Sequence, residues 1–149
     1  MLRRLHPIAG LTGFFVISTF WLSTVTAELF GSMSEVVFVK EVIPYGFLLL
    51  VPALAMTGAS GFSMGRGSQD LRILRKKRRM QFIAMNGILI LAPSALILAA
   101  LAARGDFGAG FYVLQAIELI AGATNLVLMS LNIRDGLMLS GRLARPQRA

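Results

Sequence analysis

With 149 residues, 56% of them hydrophobic and only 15% charged, the chain carries more apolar surface than a soluble domain of this size can bury. Composition therefore predicts an integral membrane protein. The net charge of +8 would suit nucleic-acid binding, but the basic residues cluster where membrane topology requires them, so we exclude nucleic acid as a partner. The absence of cysteine excludes disulfides, thiolate catalysis and cysteine-ligated zinc or iron–sulfur sites.

Four apolar stretches are long enough to cross a bilayer as helices, which takes about 20 residues. The predicted spans are 7–30, 36–59, 80–103 and 111–133. The first is too long for the apolar core of a cleaved signal peptide, so we expect it to be retained. A basic loop at 60–79 and a basic tail at 134–149 complete a single membrane domain. One short turn joins the first span to the second, and another joins the third span to the fourth. This arrangement predicts an all-α, up-down-up-down four-helix bundle.

Positive charge predicts the orientation of these spans. Of the 15 lysines and arginines, only Lys40 and Arg104 lie on the side of the two short turns. Cationic residues stay on the cytoplasmic side, so both termini are expected to be cytoplasmic. The basic run 71–79 has two interpretations. It determines topology, or it binds anionic lipid or an acidic partner.

The fourth span carries a polar stripe. Its members recur at alternating steps of three and four residues, which places them along one side of a helix. They are Gln115, Glu118, Gly122, Asn125, Met129 and Asn132. Hydrocarbon offers such groups no partners, so the stripe is expected to face protein or a cavity.

An outer polar level is predicted near the two short turns. Glu118 lies roughly 10 Å inside the boundary, taking about 1.5 Å of rise per residue, and a carboxylate at that depth requires a proton or a cation. Lys40 is the economical partner for Glu118 or Glu28. The cluster is either an ion-paired knot that fixes helix register or a proton or ligand site. The candidate ligand-binding residues are Glu118, Gln115, Asn125, Thr19, Ser23, Lys40, Glu28 and Tyr45.

An inner polar level is predicted at the opposite side of the membrane. His6, the only histidine, would be a metal ligand if haem is bound, with Met56, Met85 or Met129 opposite. The candidate cofactor-binding residues are His6, Met85, Asn86 and Met129. The alternative is that His6 is an interfacial residue among lipid headgroups. For the asparagines, hydrogen bonding across helices is the favoured interpretation, ahead of ligand binding.

Three segments carry a resemblance to known proteins. RLHPIAG at 4–10, FWLST at 20–24 and ELFG at 28–31 resemble small four-span bacterial inner-membrane proteins without an assigned function. This resemblance implies the topology and a bacterial origin, and it carries no active site. The architecture is also similar to small cytochrome b-type membrane anchors. Those anchors imply at least two histidine ligands, whereas this chain has one.

These observations favour a non-enzymatic membrane subunit or binding protein, because the sequence contains no nucleophile–base pair and no carboxylate–histidine cluster. Its polar stripe would hold an apolar ligand with a polar end, such as a quinone, or seat a partner membrane subunit or a second copy. One alternative is a haem-b electron carrier that uses His6. Another is a proton-coupled transporter that uses Glu118 and Lys40.

Overall fold

The computed structural model describes residues 2–67 and 69–141, and within them it is helical with no strand. The helices are α1 (Leu2–Phe30), α2 (Met33–Met64), α3 (Leu71–Asn86), a π-helical turn (Gly87–Leu91), α4 (Ala92–Ala103) and α5 (Ala109–Leu139). Because α3, the π turn and α4 run on without a break, they form one long helix. The described residues thus contain four helices long and apolar enough to cross a membrane: Leu5–Phe30, Met33–Met64, Leu71–Ala103 and Ala109–Leu139. The all-α, four-helix prediction is confirmed.

The predicted basic loop at 60–79 is wrong in its extent. Helix α2 continues to Met64 and α3 begins at Leu71, so the connection covers only 65–70. Asp70 caps α3, because its side chain accepts a hydrogen bond from the Arg72 backbone N–H at 2.8 Å. Lysine and arginine are good helix formers, so the basic run favours continued helix over loop.

The other connections are also tighter than predicted. Helix α2 begins at Met33 because Ser32 and Glu35 form a capping box, in which the Glu35 carboxylate accepts the Ser32 backbone N–H at 2.6 Å. Helix α5 extends to Leu139, so the beginning of the predicted 134–149 tail is helical. The tail arginines at 142, 145 and 148 lie outside the described residues.

A proline accounts for the π turn between α3 and α4. Pro93 has no N–H to donate to the Leu89 carbonyl, which it would do in an ordinary α-helix. Just before it, the Ala92 N–H bonds to the Gly87 carbonyl, the wider spacing of a π turn. By contrast, α2 continues through its two internal prolines, Pro44 and Pro52.

The apolar core is small and divided into two clusters. One cluster lies near the two short turns and consists of Ala27, Val36, Leu98, Ala102 and Phe111. The other lies deeper in the bundle and consists of Ile17, Ile83 and Met129. Most large apolar side chains instead point outward, among them Leu48 at 81% and Ile120 at 69% exposure. An apolar exterior of this extent requires cover by lipid or protein.

Candidate functional site

The polar stripe of α5 faces the inside of the bundle, as the sequence predicted. Asn125 is 1% exposed and Gln115 is 4% exposed, while Gly122 and Met129 are also buried. Glu118 and Asn132 are partly buried. The stripe therefore meets protein, and what it meets divides it into an outer, a middle and an inner set of contacts.

The outer contact is a buried ion pair between α2 and α5. Lys40 Nζ donates to Glu118 Oε2 at 2.6 Å, and the two side chains are only 1% and 11% exposed. Gln115 Nε2 donates to the same oxygen at 3.2 Å. Of the two partners predicted for Lys40, Glu118 and Glu28, the structure pairs it with Glu118. An ammonium and an amide thus share one carboxylate oxygen, in a region where charge-assisted hydrogen bonds are strong.

Glu28 of α1 belongs to the same cluster, within electrostatic range of both Lys40 and Glu118. Its Oε1 and the Oε1 of Gln115 are buried, and neither has a hydrogen-bond partner among the described residues. A buried polar atom without a partner costs about 1–3 kcal/mol. We call Glu28, Lys40, Gln115 and Glu118 the outer cluster. Two of its acceptor oxygens have no hydrogen-bond partner among the described residues.

Helix α1 approaches α5 through Trp21 rather than through the predicted hydroxyls. Trp21 Nε1 donates to the Leu119 carbonyl at 2.9 Å, next to Glu118. Gly122 permits this approach, because a Cβ there would lie 2.9 Å from the indole Cδ1. Thr24, one turn further along α1, is 3% exposed. Trp21, Thr24 and Glu28 are spaced by three and four residues, so they share one face of α1. The carboxylate on this face is the sequence feature that could have indicated which side of α1 meets α5.

Three predicted ligand-binding residues are not brought to the outer cluster. The hydroxyls of Thr19 and Ser23 donate within α1, to the carbonyls of Phe15 at 2.9 Å and Phe20 at 3.0 Å. Such back-bonding is the usual use of hydroxyls in membrane helices. Tyr45 is 74% exposed and lines a groove of about 510 Å³ beside Glu41 on the outer side of α2.

The middle contact is a pair of asparagines between α3 and α5. Asn86 Nδ2 donates to Asn125 Oδ1 at 2.8 Å and to the Ala121 carbonyl at 2.9 Å. Asn125 Nδ2 donates to the Ile83 carbonyl at 3.3 Å. The expectation that these amides bond across helices is confirmed. Their hydrogen bonds to one another and to backbone make this part of the stripe a structural contact.

His6 lies at the opposite end of the bundle from the outer cluster. Its Nδ1 is hydrogen-bonded to Ser60 Oγ at 2.9 Å. The His6 ring and the Met80 side chain both lie beside Gly61. A Cβ added to Gly61 would be 3.0 Å from the His6 ring and 3.2 Å from the Met80 methyl group. The described residues contain no group of three or more histidine, aspartate and glutamate side chains able to hold a metal ion.

The predicted haem-side methionines do not share one environment. Met56 and Met85 are 48% and 60% exposed, and Met129 packs in the apolar cluster with Ile17 and Ile83. The sequence reasoning also missed an ion pair at this end. Arg79 donates to Asp135 at 2.7 Å and to Asn132 at 3.3 Å. Arg79 belongs to a run of basic residues, some of which face lipid or solvent, so the sequence does not distinguish it from its neighbours.

Together, four apolar helices and a line of buried polar contacts define a class, the small multi-pass membrane proteins. Comparisons with protein-family models, with curated proteins and with solved structures found no match. The outer cluster therefore has to be interpreted from its own chemistry.

Proposed function

We propose that this chain is a small multi-pass protein of the bacterial inner membrane that binds, at the outer cluster, the hydrogen-bond-donating end of an apolar ligand. The observation that carries the proposal is the pair of buried acceptors without partners, Glu28 Oε1 and Gln115 Oε1. Both belong to residues held beside the Lys40–Glu118 pair. A ligand that brings hydrogen-bond donors would offset the cost of leaving both acceptors unpaired.

A quinol is the ligand class that fits this chemistry best. Its hydroxyls would donate to the spare acceptors, and its apolar ring and tail dissolve in the bilayer. Lys40 has three N–H donors, of which one is used on Glu118, so it would serve the carbonyl oxygens of the oxidised quinone. The charged and amide side chains hold the polar end, and the apolar surfaces around them hold the ring.

We further propose an up-down-up-down arrangement with both termini on the cytoplasmic side. Contacts between helix ends support it. His6 near the start of α1 contacts Ser60 near the end of α2, and Arg79 near the start of α3 contacts Asp135 near the end of α5. Lys40 and Glu118 both lie near the starts of their helices. The outer cluster would then lie toward the periplasmic side, away from most of the basic residues.

The single tryptophan of the chain provides the test, because Trp21 bonds to the residue next to Glu118. Protein in lipid nanodiscs is titrated with a decyl-tailed benzoquinol under anaerobic conditions, and Trp21 fluorescence is recorded. We expect saturable quenching, and binding about three- to tenfold weaker in Gln115→Leu, which removes one spare acceptor. Glu41→Gln is the matched control, since Glu41 is exposed on α2 next to Lys40. Quenching that never saturates, or equal affinity in Gln115→Leu, would overturn the proposal.

Glu28 favours proton transfer as a second function. A proton on Glu28 would turn one of the two unpaired acceptors into a donor, and deep carboxylates are recurrent elements of proton relays. Proteoliposomes that enclose a pH-sensitive dye would report proton uptake under an imposed membrane potential. We expect Glu28→Gln to abolish uptake and Glu41→Gln to retain it. Uptake that persists in Glu28→Gln would exclude this carboxylate as the proton carrier.

A further inference from the structure

A second surface lies away from the outer cluster, on the outside of the bundle between α3 and α5. It is a groove of about 260 Å³ with an almost wholly apolar lining. The α3 side and the π turn contribute Phe82 and Ile90, and α5 contributes Ile117, Ile120 and Thr124. Phe82 and Ile90 are eight residues apart, which corresponds to about 12 Å along the helix axis. The groove therefore extends about 12 Å along the bundle, which is long enough for part of an acyl chain.

Exposed arginines stand beyond one end of this groove, on the same helix faces. Arg78 precedes Phe82 by four residues, and Arg75 precedes Phe82 by seven. On α5, Ile120, Val127 and Arg134 follow at intervals of seven, so Arg134 continues the face that lines the groove. The Arg79–Asp135 ion pair, at 2.7 Å, joins the residues next to Arg78 and Arg134. The two helices are thus held together between these arginines.

These arginines have little to bind within the chain. Among the described residues, Arg78 and Arg75 make no hydrogen bond or ion pair, and Arg134 has only a 3.6 Å contact to Asp135. Asp135 is already bonded to Arg79 at 2.7 Å. Positive charge therefore remains uncompensated where the apolar groove begins.

We infer that this surface binds an anionic phospholipid, with the phosphate between Arg78 and Arg134 and one acyl chain in the groove. Guanidinium groups pair with phosphate oxygens through two parallel N–H donors, which suits them to this ligand. A free phosphate is excluded as the complete ligand, because it would leave the adjoining apolar groove uncovered.

The experiment measures lipid retention by native mass spectrometry. Protein is released from nanodiscs that contain equal amounts of phosphatidylglycerol and phosphatidylcholine, and the ratio of the two lipids retained is determined. We expect phosphatidylglycerol to be enriched. The double variant Arg78→Gln/Arg134→Gln should lower the enrichment about fivefold for each arginine removed. Arg66→Gln is the matched control, because Arg66 is exposed near the same end of the bundle but outside the groove.

Three outcomes would overturn the inference. An Arg66→Gln loss equal to that of the double variant would show diffuse charge attraction. Phosphatidylglycerol displaced by soluble glycerol phosphate would show that the anion alone is bound. Unchanged retention in Ile120→Trp, which fills the groove on an exposed position, would show that no acyl chain lies there. That last variant leaves both arginines in place, so it tests the groove independently.

Discussion

Asn86 and Asn125 hold each other across the α3–α5 contact with an amide–amide hydrogen bond of 2.8 Å, and the two side chains are only 8% and 1% exposed. Each also donates to a backbone carbonyl of the opposite helix, at Ala121 and Ile83. The two amides bond to each other and to the backbone of both helices. These bonds together fix the rotation of α5 about its axis. That rotation turns Glu118, two turns away, toward Lys40.

Replacing Asn125 by leucine should therefore disturb more than one hydrogen bond. Asn125→Leu removes the partner of Asn86 and the donor to Ile83, and it leaves a buried amide partly unpaired. We expect the free energy of unfolding to fall by about 1–2 kcal/mol, the upper part of the range for polar contacts in membrane helices. Unfolding in mixed micelles by added ionic detergent measures it. Val127→Leu, at a position 60% exposed on the same helix, is the control and should change little.

Lys40 and Glu118 should not contribute equally when each is removed. Lys40→Met leaves Glu118 and Glu28 facing each other without their cation, whereas Glu118→Gln leaves Lys40 beside Glu28. Removing one partner of a buried pair costs about 3–5 kcal/mol, and we expect the lysine variant to reach that range and the glutamine variant to fall below it.

The double variant Lys40→Met/Glu118→Gln completes this test as a double-mutant cycle in the same unfolding assay. It removes both charges, so it should be more stable than Lys40→Met alone. Glu41→Gln, on the exposed side of α2, should stay within about 0.5 kcal/mol of the unmodified protein. A Glu118→Gln loss larger than that of Lys40→Met would contradict the role assigned to Glu28.

The sequence was sufficient for the four helices and for the inward face of α5, because length, apolarity and periodicity are local properties. It also narrowed the partner of Lys40 to Glu118 or Glu28, since few charged residues lie at that depth. It was not sufficient to place the side chains of Thr19, Ser23 and Tyr45, the other predicted ligand-binding residues. A hydroxyl that bonds to its own helix and one that faces a neighbour have the same sequence pattern. Which face of α1 meets α5 depends on the tertiary contact between Trp21 and Gly122.

That contact yields a prediction of its own. In Gly122→Ala the new Cβ would lie 2.9 Å from Trp21 Cδ1, so the indole or α1 has to shift. We expect an overpacking cost of about 1–3 kcal/mol and a blue-shifted Trp21 emission as the indole loses its Leu119 hydrogen bond. Gly110→Ala on the same helix is the control, because among the described residues nothing lies within 4 Å of its Cβ position. If both variants emit at the same wavelength, Gly122 is not needed for the α1–α5 approach.

The proposed orientation is testable because the chain has no cysteine, so any introduced thiol is unique. Ser34 is exposed in the first turn of α2, beside the α1–α2 connection, and Gln69 lies in the exposed connection between α2 and α3. With both termini cytoplasmic, a membrane-impermeant thiol reagent should modify Ser34→Cys on intact cells. It should reach Gln69→Cys only after the membrane is permeabilised. Labelling in the reverse order would place Lys40 and Glu118 near the cytoplasm and would conflict with the distribution of basic residues. Equal labelling on intact cells would show that the two connections do not lie on opposite sides.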